Sequence, residues 1–578
     1  MNTEAPLRYI KVKKHHWFVL LCLLYVTTLA IFSHNGTHYP YGDGPEYLMM
    51  TESFLNHGSP ELRSEDVQSF TNYLKDHKLT LHNENTFVDY QRKFDGELPS
   101  LKGYYQSTTD LNKWFSYHFW FYSLLNVPAR YYIGLIEGDI KTSVLATNLF
   151  LIFFGIWLIS QIKKITPFDK VALCLLLVFS PLLWYIDWAH AEVYCGVLVF
   201  VGAVFYHHKL FYQSIICFIL ASFQNQTISL LAIFVSIEVL YRHKLSYQTL
   251  IKLFLCNIWA LLPSLFYYYW FEVGSLLTVD GTLSTEGISL KRFWHFFFDL
   301  NQGLIYGIPF ILLASLIFVV VDSAKLKKYR EYSLLIAIPF MSLLFMQVTN
   351  WNAGSVVMKR YGVWIAPLFI VAFHYRIKRL KPWAFYLLSI VAILSQPFVI
   401  FLQHDYNKLF WHANHLKPIA KWVLDHHPSW YNPEAEVVLE RIDTSHPASS
   451  DSLIVYTNDQ ERVTKFFIKK GATKQLISHG VSPHVVDSLS KNLNFHLGFA
   501  QLNSCDFKTI QYNQENDPFM KDIERKKQLR LQEKYRNIIM SDSSWVNNIR
   551  KQAVSWEMSF EEALGHNIDY LIKESKNQ

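Results

Sequence analysis

Apolar runs of roughly 17–23 residues recur along the chain up to about position 403, each bounded by polar or basic clusters. A helix of about 20 apolar residues crosses a bilayer, so the repetition predicts a polytopic α-helical membrane protein. Hydrophobic residues make up 51% of the 578 residues and charged residues only 17%. The sequence from about His404 to Gln578 has no such run. We therefore expect a transmembrane domain, 1–403, and a soluble C-terminal domain, 404–578.

The basic clusters between the apolar runs predict the orientation of the chain. Lys and Arg concentrate at the cytoplasmic ends of transmembrane helices. All the strong clusters fall on one face when about eleven spans are counted, from Trp17–Ser33 to Trp383–Leu402. This count puts the N-terminus inside and the C-terminal domain outside. The formal net charge of +7 is then explained by the bilayer as partner, with no nucleic acid required.

The stretch Tyr39–Met50, YPYGDGPEYLMM, follows the first apolar run and carries two acids, Asp43 and Glu46. Charge beside the hydrocarbon is costly and tends to be kept for a use, so the pair is a candidate site. The structural alternative is a helix start, with Asp43 as N-cap and Pro45 in the first turn. After this long polar loop, the aromatic segment Phe115–Gly138 predicts helices lying at the outer membrane interface.

The predicted topology gathers most of the other unusual polar residues at the same outer face. Lys359 and Arg360 oppose the positive-inside bias, and Arg suits fork-like recognition of a phosphate or carboxylate, although snorkelling to headgroups is the alternative. His190 and Glu192 are two residues apart and would not share a helix face, so this pair alone is not expected to bind metal. The full candidate set is Asp43, Glu46, His118, Asp187, His190, Glu192, Asn301, Gln302, Lys359, Arg360 and Tyr361.

The C-terminal domain has a different character and carries no recognisable catalytic motif. DSLIVYT, Asp451–Thr457, predicts a strand, and we expect a helix in the segment that follows, through Phe466 and Phe467. From about Asp517 the chain is charged and helical. A small α/β or mostly helical domain is expected, with packing positions at Trp545, Ile549, Ala553 and Leu564.

The order of these motifs resembles the GT-C superfamily of integral-membrane glycosyltransferases, most nearly the protein O-mannosyltransferase and lipid A aminoarabinose transferase type. The shared features are an acidic first outer loop, an aromatic-and-proline interfacial segment, the His/Glu-bearing turn DWAHAE and a late W…KRY loop, and they cover roughly residues 1–403. The resemblance implies a GT-C-like fold in a bacterial inner membrane, a catalytic acid at Asp43 and lipid-phosphate binding at Lys359 or Arg360. DGPE stands where the family has two adjacent acids, which leaves the role of Glu46 open.

The residues fit the same chemistry independently of the resemblance. A sugar on a polyprenyl phosphate has a lipid leaving group, so its transfer needs a membrane-surface site with a base for the acceptor hydroxyl and cations for the departing phosphate. We expect an inverting glycosyltransferase acting on a lipid, glycan or protein acceptor at the outer face. No cofactor is predicted with certainty, and a divalent metal stays an option. The expected roles are catalysis by Asp43 and Glu46, donor phosphate binding by Lys359, Arg360 and Tyr361, and acceptor binding or orientation by His118, Asp187, His190, Glu192, Asn301 and Gln302.

Three other functions remain open at this stage. A flippase or transporter of lipid-linked saccharides would favour polar residues within the spans and helices broken at mid-membrane. An O-antigen polymerase or ligase-type protein would also transfer sugars at the outer face, and a non-catalytic relative would use the C-terminal domain to bind a partner. The notable charges lie at span ends on one face, which favours surface chemistry.

Overall fold

The computed structural model describes residues 43–77, 84–98, 100–101, 103–163, 165–243, 246–278, 283–324, 330–349, 351, 357–402, 415–442, 453–460, 462–493, 499–508, 512, 517–541 and 543–577. Over these residues the chain is mostly helical, with 22 α-helices, and the predicted helical class is confirmed. The first predicted span, Trp17–Ser33, lies outside the described residues. Clustering of the contacts gives two compact units, residues 1–420 with 433–448 and residues 421–432 with 449–578.

The long polar segment at the start of the first unit is folded rather than extended. Its tight turn at Gly58 ends the first helix in the left-handed conformation, with φ of 70°. A short antiparallel hairpin follows, in which Tyr104 pairs with Ser116. The elements are α1 (Gly44–His57), α2 (Ser64–Asp76), α3 (Glu84–Phe94), β1 (Tyr104–Gln106), β2 (Trp114–Ser116) and α4 (Phe121–Leu135).

Helix α4 occupies the segment predicted to lie at a membrane interface. It packs on α1, where Arg130 donates to both oxygens of Glu52 at 2.5 and 3.2 Å. Its other face is exposed and aromatic, with Tyr131 and Tyr132 exposed by 52% and 68%. Amphipathic aromatic helices of this kind are typical of the interface between bilayer and water.

The apolar runs form the main helical body of the first unit. The predicted span Lys141–Gln161 is a single helix with the same bounds, whereas other runs are divided by short 3₁₀ turns. The helices are α5 (Lys141–Gln161), α6 (Pro167–Val178), α7 (Glu192–His207), α8 (Phe211–Ser222), α9 (Ser229–His243), α10 (Tyr247–Asn257), α11 (Leu262–Phe271), α12 (Leu290–Phe298), α13 (Pro309–Ala324), α14 (Ala337–Phe345), α15 (Gly362–Ile377), α16 (Pro382–Leu402) and α18 (Ala435–Ile442), while α17 (Pro418–His426) contributes to both units.

Within the described part of the chain, four helical stretches are long and apolar enough to cross a membrane. They are Thr142–Gln161, Pro167–Tyr185, Tyr247–Phe271 and Pro382–Val399, and five shorter apolar helices accompany them. A bilayer and the count of about eleven spans stay predictions.

Helices α7 and α15 pack against each other at the centre of the first unit. All of α15 is buried, and only the last residue of α7, His207, is not. Gly196 permits the close approach, because a Cβ at that position would collide with Leu182 and crowd the carbonyl oxygen of Val363 at 3.4 Å. The packing brings the N-terminal ends of α7 and α15 to one place, beside the start of α1.

The second unit contains a three-stranded antiparallel sheet in the order β3–β4–β5. Its strands are Ile454–Thr457, Val463–Lys469 and Phe499–Asn503. The predicted strand at 451–457 is confirmed for its described part, but the helix predicted through Phe466 and Phe467 is wrong, since both lie in β4. This central strand is buried on both faces, and such a run lacks the alternation that separates a strand from a helix.

Four helices complete the second unit: α19 (Pro483–Asn492), α20 (Pro518–Ser541), α21 (Ser543–Ser555) and α22 (Phe560–Asn577). The last three form a small helical core of their own. The predicted packing positions Ile549, Ala553 and Leu564 are buried in it, with Trp545 packed against its edge. The prediction of a charged, helical C-terminal segment is confirmed.

Candidate functional site

Asp43 stands at the N-cap position of α1, but its carboxylate makes no capping hydrogen bond to the helix. Instead, Oδ2 accepts from Nη1 of Arg360 at 2.7 Å and lies 3.0 Å from Nε2 of His190, while Oδ1 accepts from the hydroxyl of Tyr117 at 3.1 Å. The sequence offered two interpretations of Asp43, a helix start and a site residue, and the direction of its side chain distinguishes them. Its position is that of a cap, and its contacts are those of a polar cluster.

Arg360 joins the acids of this cluster. Its Nη1 lies 2.7 Å from Nε2 of His190 as well as from Asp43, and its Nε lies 3.3 Å from Oε1 of Glu192. In sequence, 317 residues separate Arg360 from Asp43. Only the packing of α15 against α7 and the start of α1 brings these groups together.

His190 and Glu192 contact each other despite their unfavourable spacing for a helix. Nδ1 of His190 meets the Glu192 carboxylate and lies 3.0 Å from the backbone nitrogen of Ala191. The contact is made because His190 lies in the turn before α7 and Glu192 is the first residue of the helix. Asp187 lies half-buried in the same turn.

His118 and Glu46 also border Asp43. Nε2 of His118 lies 3.2 Å from Oδ2 of Asp43 and 3.6 Å from Oε2 of Glu46. The hydroxyl of Ser116 donates to the same Glu46 oxygen at 3.2 Å. Gly103, with φ of +78°, lies so close that a Cβ would overlap the Glu46 carboxylate. Glu46 is therefore held in a tight, specific place rather than left at a helix surface.

Three helix N-termini meet at this cluster. Asp43, Ala191 and Tyr361 occupy the N-cap positions of α1, α7 and α15, and none of them caps its helix with a side chain. Helix N-termini carry partial positive charge and unpaired N–H groups, which favour anionic groups nearby. The arrangement stabilises the buried carboxylates and would equally favour an anionic ligand.

The protonation states follow from burial and from these neighbours. Burial opposes ionisation of Asp43, but Arg360 and hydrogen bonds with His118 and His190 hold its pKa well below the usual range. Burial also disfavours the His190 imidazolium, yet Glu192 outweighs it and raises the pKa of His190. Burial raises the pKa of Tyr117, and the Asp43 charge adds to this, so its phenol stays a donor.

The donor atoms of Asp43, Glu46 and His118 lie within 4.8 Å of one another. Two carboxylates and one imidazole suit a divalent cation of hard or borderline character. Arg360 occupies Oδ2 of Asp43, so a cation there would have to share or displace that guanidinium. The donor set fits a metal, in competition with Arg360.

Lys359, although adjacent to Arg360, belongs to a different cluster. Its ammonium contacts the carbonyl oxygen of Trp351 and lies 3.3 Å from the centre of that indole ring. Burial and nearby Arg292 hold the pKa of Lys359 well below its usual range. Arg292 covers the same indole at 4.4 Å and donates to the carbonyl oxygens of Met346 and Val348. These contacts tie Met346, Val348, Trp351 and Lys359 to the start of α12.

Asn301 and Gln302 lie beside this second cluster. The carbonyl oxygen of Gln302 accepts from the backbone N–H of Lys359 at 2.7 Å, and Oδ1 of Asn301 accepts from that of Lys417 at 3.0 Å. Tyr361 is buried, with its ring 5.9 Å from the Arg360 guanidinium carbon. Of the candidate set, the structure thus brings together Asp43, Glu46, His118, His190, Glu192 and Arg360, with Tyr361 beside them.

Sequence reasoning missed Tyr117, Ser116 and Tyr47. Tyr47 stacks on His118 with ring centroids 4.8 Å apart and also contacts the ring of His190. The only available signal was adjacency, since Tyr47 follows Glu46 and the other two precede His118. Adjacency alone does not show which neighbours turn toward a site, because that depends on the local backbone.

No protein-family profile, curated protein or solved structure matches this chain. Function is therefore argued from the geometry of the cluster around Asp43 and Arg360.

Proposed function

We propose that this chain is an inverting glycosyltransferase of the membrane that moves a sugar from a polyprenyl-phosphate donor to an acceptor hydroxyl at the outer face. The observation that carries the proposal is the Asp43–Arg360 cluster. It combines a guanidinium suited to phosphate, a carboxylate suited to a proton, and two histidines at the meeting point of three helix N-termini. The GT-C resemblance of the sequence motifs supports the same function.

In the proposed reaction the acceptor oxygen attacks the anomeric carbon and the bond from that carbon to the phosphate oxygen breaks. Asp43 takes the proton of the acceptor hydroxyl, and the polyprenyl phosphate leaves with the bonding electrons. Arg360 stabilises the charge that develops on the departing phosphate. A single displacement inverts the configuration of the sugar.

The other side chains of the cluster position these two. Tyr117 and His190 orient the Asp43 carboxylate, and Glu192 holds both His190 and Arg360. Glu46 and His118 also border Asp43, and an acceptor would be bound beside them. A divalent metal at Asp43, Glu46 and His118 would supply further positive charge for the phosphate, since this cluster holds three carboxylates against one guanidinium.

A membrane location is supported by the surfaces of the apolar helices. In the stretch Tyr247–Phe271 only 17% of an apolar segment of 18 residues is buried within the protein. Phe254, Trp259 and Leu265 are each exposed by more than half. Exposed apolar surface on this scale is unusual in a water-soluble protein and is expected against lipid.

The function is tested by incubating the purified full chain, in lipid nanodiscs, with a panel of labelled polyprenyl-phosphate sugars. We expect one donor to be consumed and its polyprenyl phosphate released, and we expect Asp43→Asn to abolish most of this turnover. Each assay is run with EDTA, Mg²⁺ or Mn²⁺. Failure of the whole panel would contradict the proposal, and passage of an intact donor across proteoliposomes would identify the flippase alternative instead.

The orientation is tested with single cysteines in a cysteine-free background. Glu97→Cys and Lys474→Cys replace exposed residues of the first folded segment and of the second unit, and Lys163→Cys replaces an exposed residue after α5. We expect an impermeant thiol reagent to label the first two from outside the cell and the third only after lysis. Labelling of the first two from opposite faces would overturn the topology.

A further inference from the structure

The two most accessible charged side chains of the cluster are the ones that pair with each other. Arg360 is exposed by 16% and Asp43 by 19%, whereas Glu46 and Glu192 are each exposed by 6% and His190 by 7%. A ligand that enters the cluster from outside therefore reaches the Asp43–Arg360 pair first.

The contact between Asp43 and Arg360 is a single hydrogen bond, whereas a phosphate can make two with the same guanidinium. A single nitrogen of Arg360, Nη1, lies 2.7 Å from a single oxygen of Asp43, and it is shared with His190. Arg binds carboxylates and phosphates best through two parallel hydrogen bonds. The phosphodiester of a polyprenyl-phosphate sugar offers two unesterified oxygens for that arrangement, while Glu192 keeps its contact with Nε of Arg360.

We propose that the Asp43–Arg360 ion pair is an exchangeable latch, in which the phosphate anion of the donor takes Arg360 and releases Asp43 to act as the base. The inference rests on the proposed function and adds an order to it, because Asp43 becomes competent only after a donor is bound. Exchange of one anion for another at Arg360 avoids leaving this partly buried guanidinium unpaired at any stage.

The latch is tested by binding of undecaprenyl phosphate, which has the phosphate but no sugar to transfer. Asp43→Asn removes the competing charge, so we expect it to bind this lipid more tightly than the wild type, by roughly tenfold. Asp43→Ala, which cannot accept a hydrogen bond from Arg360, should bind at least as tightly as Asp43→Asn. Equal or weaker binding by both variants, measured by calorimetry in nanodiscs, would overturn the latch.

These outcomes separate the latch from the proposed function. A chain that consumes a polyprenyl-phosphate sugar but does not bind undecaprenyl phosphate more tightly in Asp43→Asn is a transferase without the latch. A chain that neither binds undecaprenyl phosphate nor consumes any donor contradicts the proposed function itself.

Discussion

Each end of helix α15 carries an arginine that is paired with an acid, and the two pairs are built differently. At the C-terminal end, Arg376 donates two hydrogen bonds to the Asp322 carboxylate, from Nε at 2.5 Å and from Nη2 at 2.9 Å. The hydroxyl of Tyr332 donates to the same carboxylate at 2.7 Å. At the N-terminal end, Arg360 offers one nitrogen to one oxygen of Asp43 and divides its other contacts between His190 and Glu192.

The difference separates a structural tie from a candidate site. The Arg376–Asp322 pair has matched geometry, with side-chain exposures of 9% and 3%. An anionic ligand could not bind Arg376 with better hydrogen-bond geometry than Asp322 already provides. The pair at Arg360 is more exposed and unmatched, in a cluster with more acids than permanent cations. The same residue types therefore serve packing at one end of α15 and are available to a ligand at the other.

The largest effect is expected at Asp43. Asp43→Asn keeps the size of the side chain but removes the base, so turnover of the donor should fall by about 10²–10⁴-fold while the protein stays folded. Glu46→Gln is the matched control, because Glu46 lies in the same cluster beside His118. Single-turnover rates at equal donor occupancy are the measurement. Near-normal turnover in Asp43→Asn would show that Asp43 is not the catalytic base. A larger loss in Glu46→Gln would assign that role to Glu46 instead.

The next largest effect is expected on stability at the other end of the helix. Arg376→Ala leaves Asp322 buried without its main partner, which typically costs about 3–5 kcal/mol. Arg360→Ala should cost less, since Asp43 is partly exposed and keeps Tyr117 and His190 as partners. Thermal denaturation of both variants in the same detergent compares them. Equal destabilisation would mean that Arg360 is a structural tie as well.

Activity with the donor should depend on Arg360 and not on Arg376, which is the reverse of the expected effects on stability. Arg360→Ala removes a charge-assisted contact to phosphate, so kcat/KM for the donor should fall by roughly 10–150-fold. Arg360→Lys should recover only part of the loss, because an ammonium lacks the fork geometry. Arg376→Lys, at the far end of α15, is the control and should leave the KM for the donor unchanged. A donor KM that is also unchanged in Arg360→Ala would remove Arg360 from the donor phosphate site.

Much of the helical body could be predicted from hydrophobic runs, but the composition of the cluster could not. The run Lys141–Gln161 has polar residues at both ends, and the structure begins and ends α5 there. Lys359 and Arg360 are neighbours in sequence, yet one side chain turns to Trp351 and the other to Asp43. That choice depends on the backbone just before α15 and on long-range packing. No periodicity in a single sequence carries this information.

The smallest effect, and the finest test of the comparison, is expected at Tyr117. Its hydroxyl donates to Oδ1 of Asp43 at 3.1 Å and so favours the ionised carboxylate. Tyr117→Phe removes this donor, and turnover at neutral pH should fall by only about 3–10-fold, the usual effect of one hydrogen bond. The pKa of Asp43 should rise, since its charged form loses a partner. A depressed pKa keeps a carboxylate ionised down to low pH, so the acidic limb of kcat/KM for the donor should move to higher pH in this variant. Tyr122→Phe is the matched control, because that buried phenol donates to the neutral side chain of Asn148 at 2.9 Å, and its pH profile should coincide with the wild type. An acidic limb that stays in place in Tyr117→Phe would show that Asp43 is not the group titrating there.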